Sequence, residues 1–474
     1  MARTTVEQLA DFAADVSLEA PPPDVVEDSK RVLLDSVGCA LAGIDVDKGR
    51  IGIKVARRMG GRGDATIFGV ADRTTPFAAA FANAESINAL DFDAVLPPGH
   101  VAPYVLPGAL ALAEERGASG ARVLEAIAVS HEMSYRFSRA MDYTRTVTGT
   151  EIQVATVLGF TSAVFGAAAA AGLILGQDRE VLADAIGIAG AITPVNSYRT
   201  WMMNVPNSTI KYSMAGPVAQ AGMTAAFSAE DGHTGDRTIL DDAEYGYRRF
   251  IGSERWEPGA LTEGLGVDWL FPAHHSYKPY PHCRVTHGPF DALTEIVTAN
   301  DLRPDEIDAI RCWGEAWVEL PVWLSTTVDR PHQAQFSIRH GLAVSAHRIP
   351  PGKAWQLPET LRNPSVVGLM EKVSFAPHPD YVATLSADPS ARPTRVEVDA
   401  RGTTFSASRT HPKGTPSADP SIRLSTDELV EKFRANADGV LPAGRIDDLL
   451  DGILNLEKVE NVSALLARTA PPRR

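Results

Sequence analysis

Only three cysteines, Cys39, Cys283 and Cys312, occur in 474 residues. They are too few and too widely spaced for a disulfide framework or a Cys-x-x-Cys metal site, which suits a reducing compartment. The N-terminus, Met-Ala-Arg-Thr-Thr-Val-Glu, lacks the apolar core of a signal peptide, so a cytoplasmic location is expected. Positive charge is also in deficit: 45 Lys and Arg against 59 Asp and Glu leave a formal charge of -14. Nucleic acid and anionic membrane select basic patches and are therefore not expected as main partners; a small acid in a locally cationic pocket stays allowed. There is no G-x-G-x-x-G after a strand, no P-loop and no Cys/His cluster with zinc spacing, so neither a metal nor an organic cofactor is expected. The one serious membrane candidate is the uncharged run 152–177. Its dominant alanine and glycine, with Thr156, Thr161 and Ser162 interspersed, suit a helix buried in a large bundle better than one in lipid.

With 44% apolar residues, the chain can bury the cores of two or three domains. Apolar spacing predicts helices from Thr5 to about Val16 and from Asp24 to Gly43, the second opened by Pro21-Pro22-Pro23. "GDATIFG" at 63–69 reads as a strand or turn, after which Pro76 opens a helical run to about residue 250. Past Asp301 the period changes. "EIDAIRCWG" at 306–314 and "RPTRVEVDARGTTFSASR" at 392–409 alternate with period two, the second turning at Ala400-Arg401-Gly402. Helical patterning resumes at Ser425, beyond the linker "KGTPSADP" at 413–420. The expected fold is mostly α: a helical domain of residues 1–274 and 415–474, with 275–414 inserted as a smaller α+β domain.

Chemistry concentrates in Lys278-Pro-Tyr-Pro-His-Cys-Arg-Val-Thr-His287. Pro279 and Pro281 hold this stretch extended until a helix begins near His287. Lys278 and Arg284 suit a carboxylate or phosphate, and His282 and His287 suit proton transfer near neutral pH. A polar interdomain linker is the bland alternative. Asp91 and Asp93 flank Phe92 after an apolar helix, and a loop of Pro97, Pro98 and Gly99 delivers His100. Either aspartate would serve equally as a helix N-cap. Pro206-Asn207-Ser208-Thr209 reads as a helix start, placing Lys211 in the first turn, where a cation favours an anionic ligand. Tyr198, with Ser197 and Arg199, is a further candidate for the same cavity.

"HHSYKPYPHCRVTHGPFDAL" at 274–293 resembles the K-x-Y-P-x-C-R-x-x-H stretch of the MmgE/PrpD family. Other blocks are similar to that family in the same order, among them "RVLLDSVGCALAG" at 31–43, "NALDFDAV" at 88–95, "PNSTIKYSMAG" at 206–216 and "FSIRHGLAV" at 336–344. The resemblance implies a large helical domain with an α+β lid, a homodimer through the helical domain, and activities such as 2-methylcitrate dehydratase, cis-aconitate decarboxylase or iminodisuccinate epimerase. It matches Asp91 and Asp93 to a D-F-D-D pattern, His100 to the histidine of the loop that follows, and Lys211 to the family lysine. The departures are specific. Counting back from Gly166 puts Val157 where a G-F-H-P-T histidine is expected, Asn88 replaces a histidine three residues before Asp91, and His131 stands where tyrosine is commoner. The loop from Asp91 to His100 is also shorter than in the decarboxylases.

The function implied is a cofactor-independent lyase that removes a proton α to a carboxylate of a small hydroxy acid, with dehydration the preferred outcome. Its catalytic candidates are His100, Asp91, Lys211 and His282; its binding candidates are Lys278, Arg284, His287, Tyr198 and Cys283. Decarboxylation and epimerisation of a related di- or tricarboxylate are the alternatives. A Cys283 hydrolase using His282 or His287 as base, and a non-catalytic acid-binding protein, complete the set.

Overall fold

The computed structural model describes residues 3–17, 21–143, 145–148, 151–155, 159–195, 198–211 and 214–472. The chain is 56% helix and 8% strand, as a mostly α fold requires. Helix Thr5–Asp15 starts with a Thr4/Glu7 capping box, and Pro23–Gly43 starts on proline, whose missing N–H would be unpaired there in any case. At the centre lies Ala163–Leu175, buried from Ala163 to Ile174 and surrounded by Ala102–Arg116, Gly120–Ala140, Arg179–Ala191 and Ala215–Glu230. Small residues make this packing possible. A Cβ at Gly166 would stand 2.6 Å from the Ser130 carbonyl oxygen, and one at Gly222 would stand 2.5 Å from the Ala167 Cβ.

The uncharged run is thus a buried helix over only half its length. A hairpin of Arg145–Thr148 and Glu151–Val154 interrupts the expected helical run to residue 250. The β-branched Thr146, Val147, Thr148, Ile152 and Val154 favour a pleated chain. No helix among the described residues is long and apolar enough to cross a membrane.

In the second half, Ile307–Gly314 pairs in parallel with Val373–Pro377 and antiparallel with Thr394–Ala400, which pairs in turn with Thr403–Arg409. Arg401 and Gly402 both have positive φ, 53° and 71°, as tight two-residue hairpin turns need. Helices His287–Ala299 and Ile338–Ala346 cover the sheet. The C-terminal helices Thr426–Ala437 and Ala443–Leu454 return to pack on Pro23–Gly43.

Candidate active site

Helix Pro76–Ile87 ends at Asn88, and the chain then turns sharply through Asp91, whose φ of 55° is a left-handed conformation that aspartate tolerates better than most residues. Asp91 is wholly buried and accepts from two lysines: Lys211 Nζ donates to Oδ1 at 2.8 Å and Lys278 Nζ to Oδ2 at 2.8 Å. Each lysine also holds the turn's backbone, Lys211 at the Asn88 carbonyl (3.0 Å) and Lys278 at the Asp91 carbonyl (2.9 Å). Beside them His100 Nδ1 lies 2.7 Å from Asp93 Oδ2, and Nε2 lies 3.3 Å from Asp91 Oδ1. Asn88 Nδ2 donates to Asp93 Oδ1 at 3.2 Å, and its own Oδ1 accepts from Lys48 Nζ at 2.6 Å.

This geometry divides the roles. His100 Nδ1 faces Asp93 and Nε2 faces Asp91, so an imidazolium formed there is balanced on both sides. Burial would raise the Asp91 carboxyl, but Lys211 and Lys278 outweigh it and hold Asp91 well below the usual carboxylate range. At Asp93 burial likewise acts to raise the carboxyl, and His100 together with Lys278 and Lys211 outweighs it and lowers it. Lys211 is pushed down to about 8 by burial against the pull of Asp91, so its proton becomes transferable near neutrality.

The structure therefore brings together Asp91, Asp93, His100, Lys211 and Lys278. Lys211 does not occupy a helix's first turn: its segment is irregular and the helix begins at Ala215. Neither Asp91 nor Asp93 is an N-cap, because both lie in the turn after a helix. His282 is buried, with Nδ1 2.6 Å from the Thr286 hydroxyl and Nε2 3.2 Å from the Ser337 carbonyl, and burial pushes it down to about 3. His287 opens helix His287–Ala299, and its Nε2 meets the His282 carbonyl at 3.0 Å. Cys283 is buried with its thiol pushed up by that burial, opposite to what a nucleophile needs. Arg284 turns toward a separate cavity. His131 bonds back to the Ile127 carbonyl of its own helix at 2.8 Å, and burial pushes it down to about 3. Tyr198 begins helix Tyr198–Met203, but its side chain, like Ser197 and Val157, lies outside the described residues.

His131 and His282 are neutral when folded, yet titrate near the ordinary histidine value when unfolded. Below about pH 6.5 the unfolded chain binds more protons, so stability falls with falling pH toward pH 3, by up to about 1.4 kcal/mol per pH unit for each histidine. Urea midpoints should be lower at pH 5 than at pH 7; equal midpoints would contradict this.

Sequence reasoning missed the scaffold behind these groups. Lys432 Nζ, on helix Thr426–Ala437, donates to Asp35 Oδ1 (2.6 Å), the Phe92 carbonyl (2.7 Å) and the Lys278 carbonyl (3.0 Å). Asp35 Oδ2 accepts from the Ala94 N–H at 2.9 Å. Gln335 and Gln356 donate to the Ala89 and Leu90 carbonyls, at 2.7 and 2.8 Å. No local motif marks these residues. Because Lys432 ties both site segments together, Lys432→Met should lower kcat by about tenfold with little change in KM, and Lys432→Arg should restore part of it. An unchanged kcat in Lys432→Met would show that the tie is dispensable.

Residues 7–259 match the model of the MmgE/PrpD N-terminal domain and residues 280–457 that of the MmgE/PrpD C-terminal domain. The chain is 28% identical to cis-aconitate decarboxylase of Homo sapiens, over 94% of this chain and 91% of the relative. It is 25% identical to the Mus musculus enzyme of that name, over 98% and 93%. Identity to cis-aconitate decarboxylase of Aspergillus terreus is 24%, over 97% and 94%. Both domain models match in order, and together they span most of the sequence: the chain belongs to the MmgE/PrpD family.

Proposed function

We propose that this protein is a lyase for a small carboxylic acid, initiating reaction by proton transfer at the carbon α to a carboxylate. The observation that carries this reading is the buried Asp93–His100 pair beside an aspartate clamped by two lysines. His100 Nε2 would take the proton, and Lys211 and Lys278 would hold the carboxylate and the charge that develops on it. If a β-hydroxyl leaves, Lys211 supplies its proton and the product is an alkene. If a carboxylate leaves as carbon dioxide, no α-hydrogen is removed: the electron pair of the broken carbon–carbon bond stays on carbon, and a His100 that enters the step protonated donates a proton there. Dehydration is the outcome preferred from the sequence; the names of the relatives favour decarboxylation.

The quartet of Asp91, His100, Lys211 and Lys278 is closed from solvent. Residues 275–414 would therefore act as the lid on a helical domain of 1–274 and 415–474, opening to admit substrate. A cytoplasmic homodimer that needs no cofactor completes the reading. The test is a screen of di- and tricarboxylic hydroxy acids, following ultraviolet absorbance for a conjugated alkene and headspace carbon dioxide together. An alkene without gas supports dehydration, gas supports decarboxylation, and neither product from any acid would sink the lyase reading.

A further inference from the structure

Between the two halves of the chain lies a chamber of about 590 Å³, within the roughly 300–1,000 Å³ of sites that enclose sizeable organic ligands. It borders both site segments: Pro98 is two residues from His100, and Ser276 two from Lys278. Its walls are apolar, from Val95, Pro97, Pro98 and Tyr135, whose ring stacks on His274 at 4.4 Å. Three arginines, Arg139, Arg284 and Arg392, and two aspartates, Asp142 and Asp388, also line it. Arg284 bonds only to neutral groups among the described residues: the hydroxyls of Ser276 (2.6 Å) and Thr415 and the Pro412 carbonyl (3.3 Å). Its Nη1 is buried with no hydrogen-bond partner. Arg392 Nε pairs with Glu315 at 3.0 Å. Burial and the charge of Arg392 push Arg284 down to about 9 against the pull of Asp291.

We propose that the chamber binds an acid carrying an apolar arm, with Arg284 and Arg392 taking a carboxylate remote from the reacting carbon and Val95, Pro97, Pro98 and Tyr135 receiving the arm. This rests on the lyase reading above and adds what the substrate must carry. A compact acid would leave most of such a chamber unfilled, whereas hydrocarbon along its walls is removed from water.

Calorimetric titration of the full chain with succinate, methylsuccinate and benzylsuccinate tests it. Affinity should rise by about tenfold or more across the series. Arg392→Met should weaken all three by about tenfold or more, and Tyr135→Ala should reduce the gain from the arm while leaving succinate unchanged. His100→Ala should bind the series like the unaltered protein. Flat affinity across the series would overturn the proposal, as would phenyl phosphate binding tenfold tighter than benzylsuccinate. The series on the unaltered protein decides even if Arg392→Met fails to fold. A steep series with neither alkene nor carbon dioxide formed from any acid would remove the lyase reading and leave the chamber standing.

Discussion

Replacing His100 with alanine should lower turnover of an accepted acid by about a hundredfold or more while leaving the protein folded. The imidazole is oriented from behind by Asp93 at 2.7 Å, and its second nitrogen points at the clamped aspartate. Removing it deletes the proton acceptor but neither lysine, so KM should move less than kcat. His100→Gln offers hydrogen bonds without proton transfer and should be nearly as slow. Full turnover in His100→Ala would show that another group is the base.

Asp91→Asn should have the largest effect on the folded state. Asp91 pairs directly with both Lys211 and Lys278, which are almost completely shielded from water. Neutralising it removes the carboxylate in contact with both ammonium groups, and breaking a buried pair in this way costs about 3–5 kcal/mol. The expected result is a fall in chemical-denaturation stability of that order together with loss of activity. Lys278→Met, which leaves Lys211 as partner, should be the milder change. Wild-type stability in Asp91→Asn would mean that the lysines are balanced from elsewhere.

The residues of the site were more legible than their placement. Asp91, His100, Lys211 and Lys278 stand in short polar patterns that resemble a family, and these four converge. His282 and His287 have equally suggestive neighbours, yet both are buried with ring nitrogens on structural oxygens, because spacing along a chain does not reveal which side of it faces a site. The Pro206 to Thr209 run carried a helix-start pattern, but Lys211 sits in irregular chain with its side chain on the turn after Asn88, and the helix begins only at Ala215. The period-two patterns at 306–314 and 392–409 became strands, since one face of each alternates into the core. The hairpin at 145–154 was hidden because the sequence from Ile152 to the alanine-rich helix carries no charge or proline to mark a boundary. Lys432 and Asp35 were beyond reach: their importance lies in contacts with groups 59 to 397 residues away, which leave no local pattern.

The central claim is that His100 moves a proton at the carbon beside the substrate carboxylate. Proton magnetic resonance of an accepted acid in deuterium oxide tests it most directly, by following the α-hydrogen with unaltered protein and with His100→Ala. The account predicts enzyme-dependent loss of the α-hydrogen signal or deuterium incorporation into product, slowed by about a hundredfold in the variant. Exchange that proceeds at the same rate without the imidazole would contradict it.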